Sequence, residues 1–185
     1  MTSAVLSWPR LTVPTLRSGG RFPMVAHNPS LVYLSAGTVA LHLHNYTGRV
    51  WLGDLSVRVQ PGDLTLTPAQ VPSHYDLDAA GQHLCVHFEA ATLQEPTVAL
   101  PVHWRPGAHV RWLRERLQEI IHLHRRSEAG GEPGELARHA AGAALQSLLL
   151  WLGITAAERP RETGPAARGE AVLDEVRRHL EENYR

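Results

Sequence analysis

Residues 55–67 read LSVRVQPGDLTLT, and this stretch holds the pattern that decides the fold. Leu55, Val57 and Val59 alternate with polar residues, which gives an extended segment one apolar face and one polar face. The turn residues Pro-Gly-Asp follow, and a second short apolar run, Leu64–Thr67, begins directly after them. Two short extended runs joined by turn residues predict neighbouring antiparallel strands.

The same pattern recurs through the first hundred residues, where short apolar runs are separated by Gly, Pro, Asn and Asp. Many short strands at close spacing predict an antiparallel sandwich or barrel. Residues 1–22 show no clear strand pattern, and we hypothesise that they form an N-terminal arm that folds over a ligand. The predicted strands are Leu31–Ser35, Val39–Leu43, Val50–Leu52, Leu55–Val59, Leu64–Thr67 and Leu84–Phe88.

Helical spacing replaces this alternation near residue 100. A first helix is predicted from about Pro106 to Arg126, ended by the glycines and Pro133 that follow it. A second is predicted from about Glu135 to Leu152, with Gly153 as its stop. A polar linker over residues 156–168 and a last helix from about Glu170 complete the predicted organisation.

Composition limits the classes of function. The 18 basic residues, all arginine, balance 18 acidic ones, so the net charge gives no reason to expect nucleic-acid or membrane binding by this chain. The single cysteine, Cys85, rules out an intrachain disulfide and fits a reducing cytoplasm. No signal-peptide pattern opens the sequence, and the run Leu148–Leu152 is too short to span a bilayer. We therefore expect a cytoplasmic chain without a membrane partner.

Histidine is frequent, with 12 in the chain. His42 and His44 share one face of a predicted strand, and His83, Cys85 and His87 share one face of another. Imidazoles at this spacing on neighbouring strands can converge on a metal ion such as zinc or iron.

Each of these faces has a second interpretation. For His42 and His44 we favour the solvent side of a half-buried strand, because Leu41 and Leu43 look like its core face. The His83 face is open to three interpretations, which are pocket lining, exposed surface and metal site. No phosphate-binding loop, nucleophile elbow or His-Glu-x-x-His pair is present, and Cys85 lacks the sequence signature of a nucleophile.

Four segments, in order, resemble the N-terminal domain of AraC-type transcription regulators. They are Leu31–Gly37, Pro61–Pro68, His74-Tyr75 and Val86–Phe88. That domain is a cupin barrel, so the resemblance implies a mainly β plus α chain. The expected architecture is a cupin-like antiparallel β-barrel (a double-stranded β-helix or jelly roll) followed by two long helices.

The resemblance also implies a division of the chain. Residues 1–103 would form the ligand-sensing barrel with its N-terminal arm, and residues 104–155 a helical dimerisation segment. Residues 156–168 would be the linker. Residues 169–185 would start a truncated helix-turn-helix DNA-binding domain, because Ala171–Arg185 resembles the first helix of that domain in the family.

The function implied by the resemblance is ligand sensing and dimerisation in a bacterial regulator, without enzymatic activity. A small metabolite, often a sugar, would bind in the barrel and control DNA binding by the missing C-terminal domain. The implied ligand-binding residues are His74, Tyr75, His83, Cys85 and His87. The homodimer is expected to form through Leu113, Leu117, Ile120 and Ile121. No cofactor and no metal are expected.

Departures from the cupin motifs bear on the alternative, a metal-dependent cupin enzyme such as an isomerase or dioxygenase. Metal-binding cupins place a His-x-His pair and a Glu ahead of the glycine that matches Gly37, whereas the segment Met24–Ser30 holds one histidine and ends in serine. The second motif keeps Gly62, Pro68 and His74, but Gln70 replaces its second glycine. An enzyme would need at least three converging imidazole or carboxylate ligands. A plain sugar-binding module without a DNA-binding domain is the third hypothesis.

Overall fold

The computed structural model of the protein describes residues 5–26, 32–93 and 96–158, which form antiparallel sheets and two helices. This confirms the expectation of a mixed β and α chain with antiparallel sheets followed by two helices. The predicted helix from Glu170, the start of a DNA-binding domain at 169–185 and most of the linker lie outside the described residues. The strands are β1 Val5–Pro9, β2 Leu16–Met24, β3 Val32–Leu34, β4 Thr38–His44, β5 Gly48–Leu52, β6 Leu55–Val59, β7 Leu64–Thr67, β8 Pro72–Leu77, β9 Gly81–Glu89, β10 Thr97–Pro101 and β11 His103–Trp104.

Two sheets form the body of the chain. One has five strands in the order β11-β7-β4-β9-β2, and the other has four in the order β3-β8-β5-β6. They face each other, since the ring of His42 on β4 lies 6.3 Å from that of Tyr75 on β8. A smaller sheet pairs β1 with β10. Within the five-stranded sheet, His42 lies opposite Cys85 and His44 opposite His83, which sets the histidines of β4 and β9 side by side.

All six predicted strands overlap observed ones, and five lie wholly within them. The exception is Leu31–Ser35, because Leu31 lies outside the described residues and Ser35 follows the end of β3. The predicted N-terminal arm is wrong for residues 5–22, because β1 pairs with β10 and β2 is an edge strand paired along β9. Glycines at 19 and 20 hide the alternation of β2. A Cβ at Gly19 would lie 3.2 Å from Ile121 of the helix that covers the strand, so the glycine favours close packing there.

The helices follow a 3₁₀ turn at Gly107–His109. They are α1, Val110–Ser127, and α2, Gly131–Glu158. Pro133, expected in the break between helices, lies in the first turn of α2, where its missing N–H has no intrahelical partner to lose. Gly153, expected to end the helix, lies inside it. A Cβ at that position would collide with the side chain of Val98 on β10, so the glycine allows close packing.

The five-stranded sheet has one face toward the helices and one toward the four-stranded sheet. Leu41, Val86 and Phe88 on the first face form a single core with the apolar stripe of α1. The predicted dimerisation residues Leu113, Leu117, Ile120 and Ile121 are this stripe, and each is at most 5% exposed. Their assignment to a dimer interface is therefore wrong, because these side chains are already buried against the apolar face of the sheet in the same chain.

α2 forms the outer layer, packed on α1 and β10. Its length and apolar composition would also allow it to cross a membrane, with a mean hydropathy of 1.5 over its best window, of which 39% is buried. That is weak evidence for a span, because the core helix of a compact protein passes the same test. Leu145, Leu149 and Leu152 of α2 are buried in the core, and this burial accounts for the apolar composition of the helix.

Candidate functional site

A cavity of about 340 Å³ lies between the two facing sheets. Six strands, β2, β3, β4, β7, β8 and β9, contribute to its wall. No described residue that lines it carries a carboxylate, ammonium or guanidinium group. The lining residues are Phe22, Pro23, Met24, Tyr33, Leu34, Ser35, Ala40, His42, Thr67, Ser73, Tyr75, His83, Cys85 and His87.

Strand alternation directs the histidines toward this cavity. On β4, Leu41 and Leu43 face the helices, and on β9, Val86 and Phe88 do so. Because side chains alternate along a strand, the residues between them face the second sheet. The prediction that His42 and His44 lie on a solvent face is wrong, since they are only 6% and 1% exposed. Both faces of the strand are buried because helices cover one and the four-stranded sheet covers the other.

The cavity opens where the end of β2 meets β3. Phe22, Tyr33 and Leu34 line the cavity and are also 41%, 45% and 63% exposed. The ring of Tyr33 packs edge-on against Tyr75, with centroids 5.7 Å apart. Apolar and aromatic side chains therefore form the mouth, and the polar groups lie deeper.

A chain of hydrogen bonds runs beside the cavity through four buried side chains. His44 Nε2 lies 2.8 Å from Thr65 Oγ1, and His44 Nδ1 lies 2.8 Å from the Tyr46 hydroxyl. The same hydroxyl lies 3.0 Å from His83 Nδ1. Because a hydroxyl both donates and accepts, the chain links Thr65, His44, Tyr46 and His83 without a gap.

Two proton arrangements satisfy this chain. In the first, the Thr65 hydroxyl donates to His44, His44 donates to Tyr46, and Tyr46 donates to His83 Nδ1, so that His83 Nε2 carries a proton. In the second, every bond is reversed, and His83 Nε2 is a bare acceptor. His83 also lines the cavity, so the chain ends at the ligand-facing wall.

Burial keeps the histidines around the cavity neutral. It lowers the pKa of His42 and of His44 well below the usual value, and the neighbouring imidazole of His83 lowers both further. Burial and then His87 lower the pKa of His83 to about 4. The pKa of His87 is lowered by burial alone. Each ring therefore keeps one nitrogen lone pair near neutral pH.

Burial also keeps the tyrosines and the thiol protonated. It raises the pKa of Tyr46, Tyr75 and Cys85 well above their usual values. An isolated Cys85 is thus a neutral thiol in a closed wall, which argues against a free nucleophilic thiolate.

Two buried polar atoms in the cavity wall have no hydrogen-bond partner among the described residues. They are Nδ1 of His42 and Oγ1 of Thr67. Beside the first of them, the ligand atoms of His42, Cys85 and His87 all lie within 4.8 Å of one another. A buried polar atom without a partner costs roughly 1–3 kcal/mol, so both atoms mark a place where a bound group would be stabilised.

Four of the five predicted ligand-binding residues line the cavity together, namely Tyr75, His83, Cys85 and His87. His74 does not line it. Its ring stacks on Trp51, with centroids 4.8 Å apart, on the opposite face of the four-stranded sheet. The alternation of β8 sends Ser73 and Tyr75 inward, so Ser73 takes the place expected for His74.

Other cavity residues were missed at the level of sequence. Thr67 and Ser73 could have been found from strand alternation. Thr67 shares a face of β7 with Thr65, and Ser73 shares a face of β8 with Tyr75. Phe22 and Tyr33 carry no local signal, since β2 and β3 reach the cavity only through long-range pairing with β9 and β8.

Fold and cavity together define a mixed β and α chain with a cavity between two antiparallel sheets, in which no described lining residue carries a charged carboxylate, ammonium or guanidinium group. Neither a family model nor a curated protein matches this sequence. The functional argument therefore depends on the geometry and chemistry of the cavity and of the helices packed beside it.

Proposed function

We propose that this chain is the ligand-sensing and dimerisation region of a bacterial AraC-type transcription regulator, and that it is not an enzyme. The proposal describes the two facing sheets as a cupin-like barrel. The observation that carries it is the cavity between the two sheets, one of which packs the two helices on its other face. The ordered sequence segments described above support the same assignment.

The cavity wall favours a small, uncharged ligand. A volume of about 340 Å³ is at the lower end of the range for small-molecule sites, about 300–1,000 Å³. A charged ligand would lose its hydration without finding an opposite charge among the described lining residues. Hydroxyls of Ser35, Thr67, Ser73 and Tyr75 can bond to ligand hydroxyl or carbonyl groups. These features fit a sugar or a related neutral metabolite.

Signal transfer would run through β4 and β9, which the cavity and the helices share. His42 and Cys85 face the cavity, while their neighbours Leu41 and Val86 pack in the core that contains Leu117 of α1. A ligand that prefers one position of these strands would therefore bias the position of the helices.

An exposed apolar stripe on α2 supports a homodimer. Its residues recur at alternating spacings of four and three, which is the heptad repeat of a coiled-coil seam. Leu136 and Ile154 within it are 63% and 56% exposed, which leaves apolar surface for a second copy to cover. Ser147 within the stripe is polar and Leu150 is half-buried; the seven positions are Leu136, Ala140, Ala143, Ser147, Leu150, Ile154 and Ala157.

Six of the seven stripe positions are symmetric about the middle of the helix. In an antiparallel pair of α2 helices centred on position 145, Leu136 of one copy would meet Ile154 of the other. By the same arithmetic, Ala140 would meet Leu150, so a small residue opposes a large one. A two-fold interface needs this self-complementarity, and α2 thus replaces α1 as the proposed dimerisation surface.

DNA contacts are assigned to no described residue. The resemblance attributes DNA binding to a C-terminal helix-turn-helix domain, and a regulator of this class would act in the cytoplasm. The proposed partners are a small-molecule effector, a second copy of the chain and, through that domain, DNA.

Calorimetric titration of the chelator-treated full chain with a panel of neutral sugars and polyols tests the binding function. We expect one compound to bind and Ser73→Ala and Tyr75→Phe to weaken it about tenfold, because each removes a hydrogen-bonding hydroxyl from the wall. Ser56→Ala, on an exposed position of β6, is the matched control. Absence of binding by the whole panel would contradict the proposal.

The enzyme alternative is separated by recovering the compound after prolonged incubation. A regulator domain returns it unchanged, whereas an isomerase or dioxygenase converts it. Nuclear magnetic resonance of the recovered compound distinguishes the two outcomes.

A further inference from the structure

We propose that His42, Cys85 and His87 bind one divalent first-row transition ion, with zinc as the best fit, and leave one coordination position open to the cavity. The inference deepens the proposed function in that the ion would occupy the same cavity as the small molecule. It concerns side chains of β4 and β9, which are not the residues of Met24–Ser30 or His74 that match the ligand positions of the cupin motifs.

The first argument is geometric. One ligand atom from each residue lies within 4.8 Å of the other two. A tetrahedral zinc site with Zn–N of about 2.0 Å and Zn–S of about 2.3 Å separates its ligand atoms by about 3.5 Å. The three side chains therefore need to approach by about 1 Å, a movement within the reach of side-chain rotation.

The second argument is the unpaired nitrogen. His42 is 6% exposed, and its Nδ1 has no hydrogen-bond partner among the described residues. The Tyr46 hydroxyl engages a nitrogen of His44 and one of His83, whereas none of its bonds involves His42. His87 Nδ1 makes only contacts at the 3.5 Å limit, with Ser35 and Thr38. These two imidazoles are thus the members of the histidine group that remain available.

The third argument is the type of ligand. Two neutral imidazoles and one thiolate suit zinc and other borderline-soft ions, and they do not suit magnesium, calcium or manganese, which prefer oxygen. On binding, the Cys85 S–H bond is replaced by a sulfur–metal bond and the proton leaves to solvent. The charge of the ion then stabilises the thiolate that burial alone disfavours.

Three protein ligands leave a fourth tetrahedral position free, as in zinc sites that accept an exchangeable group. Thr67, with its unpaired Oγ1, and Tyr75 line the same cavity. A hydroxyl or carbonyl oxygen of a neutral small molecule would take this position and be held at the wall by these groups.

The test uses the reduced full chain, stripped of metal by a chelator and titrated with Co²⁺ and then Zn²⁺. We expect one Co²⁺ per chain, a thiolate-to-cobalt absorption band in the near ultraviolet, and displacement by one Zn²⁺. Cys85→Ser should abolish the band, and His42→Asn and His87→Asn should each weaken binding at least tenfold. His122→Asn, which changes an exposed histidine of α1, is the matched control and should bind as the wild type does.

X-ray absorption of the zinc-loaded wild type provides a readout that does not depend on a variant's folding. One sulfur and two imidazole neighbours are expected at the zinc edge. A shell of nitrogen and oxygen alone, or equal weakening by His122→Asn, would overturn the assignment.

The failures of the two proposals are distinguishable. If the metal-free chain binds a neutral compound and no ion binds, the metal site is wrong and the sensing function stands. If zinc binds with the expected ligands and no compound binds with or without it, the metal site stands and the proposed small-molecule effector is wrong.

Discussion

Leu41 and His42 are neighbours on β4 and point in opposite directions, Leu41 into the core shared with the helices and His42 into the cavity. The peptide bond between them therefore joins the binding site to the helical layer. Both side chains are buried, at 0% and 6% exposed, so a displacement of either must be accommodated by its surroundings. This relationship leads to predictions that separate stability, association and binding.

Leu117→Ala should lower the free energy of unfolding by about 2–5 kcal/mol without changing the oligomeric state, because Leu117 is fully buried against the sheet. Chemical denaturation and size-exclusion chromatography with light scattering measure the two quantities. Leu93→Ala, at a residue 62% exposed, is the control and should change stability little. Loss of the dimer in Leu117→Ala at a concentration where the chain remains folded would restore α1 as the interface.

Ile154→Glu and Leu136→Glu should each convert a dimer to a folded monomer, because both residues lie on the exposed stripe of α2. A carboxylate buried between two apolar helices would remain unpaired. Leu93→Glu adds the same charge to an exposed leucine outside the stripe and should leave the dimer intact. Light scattering at several protein concentrations gives the result, and an unchanged dimer in both stripe variants would contradict the seam.

Gly153→Ala should destabilise the chain, although the same change in an exposed helix interior stabilises by about 1 kcal/mol. The reason is the collision of the new Cβ with Val98 on β10. Overpacking of this kind costs about 1–3 kcal/mol. Adding Val98→Ala should recover part of the loss, and a double-mutant cycle by chemical denaturation measures the coupling. Simple additivity would show that the two positions do not meet.

Acidification should destabilise the metal-free protein. The pKa of His83 is about 4 in the folded chain, against about 6.5 for an ordinary histidine. Between these values the unfolded chain binds a proton that the folded chain does not, so stability is complete above about pH 6.5 and falls toward pH 4. The loss from this residue amounts to about 3 kcal/mol. His42 and His44 are shifted in the same direction and add to it.

Denaturant unfolding at a series of pH values measures that slope. His83→Asn should flatten it, because the variant has no imidazole to protonate at that position, whereas His122→Asn should leave it unchanged. A slope that is the same in wild type and His83→Asn would show that His83 is already protonated in the fold.

Much of the fold was predictable because local patterns encode it. Alternation identified β4, β6 and β7, and helical spacing identified both helices. β2 escaped prediction because Gly19 and Gly20 replace the side chains that would have shown its alternation. Gly19 is packed closely by Ile121 of a helix more than ninety residues away in the sequence.

The candidate site was predictable only in part. Strand parity grouped His83, Cys85 and His87 correctly, since a shared face is a local property. Local sequence could not show whether that face met solvent or protein, because this depended on which side of the sheet the helices would cover. His42 was misplaced for this reason. His74 was misplaced because its role was taken from the resemblance alone. The alternation of side chains along β8 directs Ser73 and Tyr75 inward and His74 outward.

The hydrogen-bond chain from Thr65 through His44 and Tyr46 to His83 has a consequence for what the cavity can recognise. Since protons can shift along it without moving a heavy atom, His83 can present either a donor or an acceptor. An alcohol and its corresponding ketone would then meet a complementary partner at the same ring nitrogen. The cavity would discriminate between such molecules by shape and size, and would tolerate a change in their oxidation level.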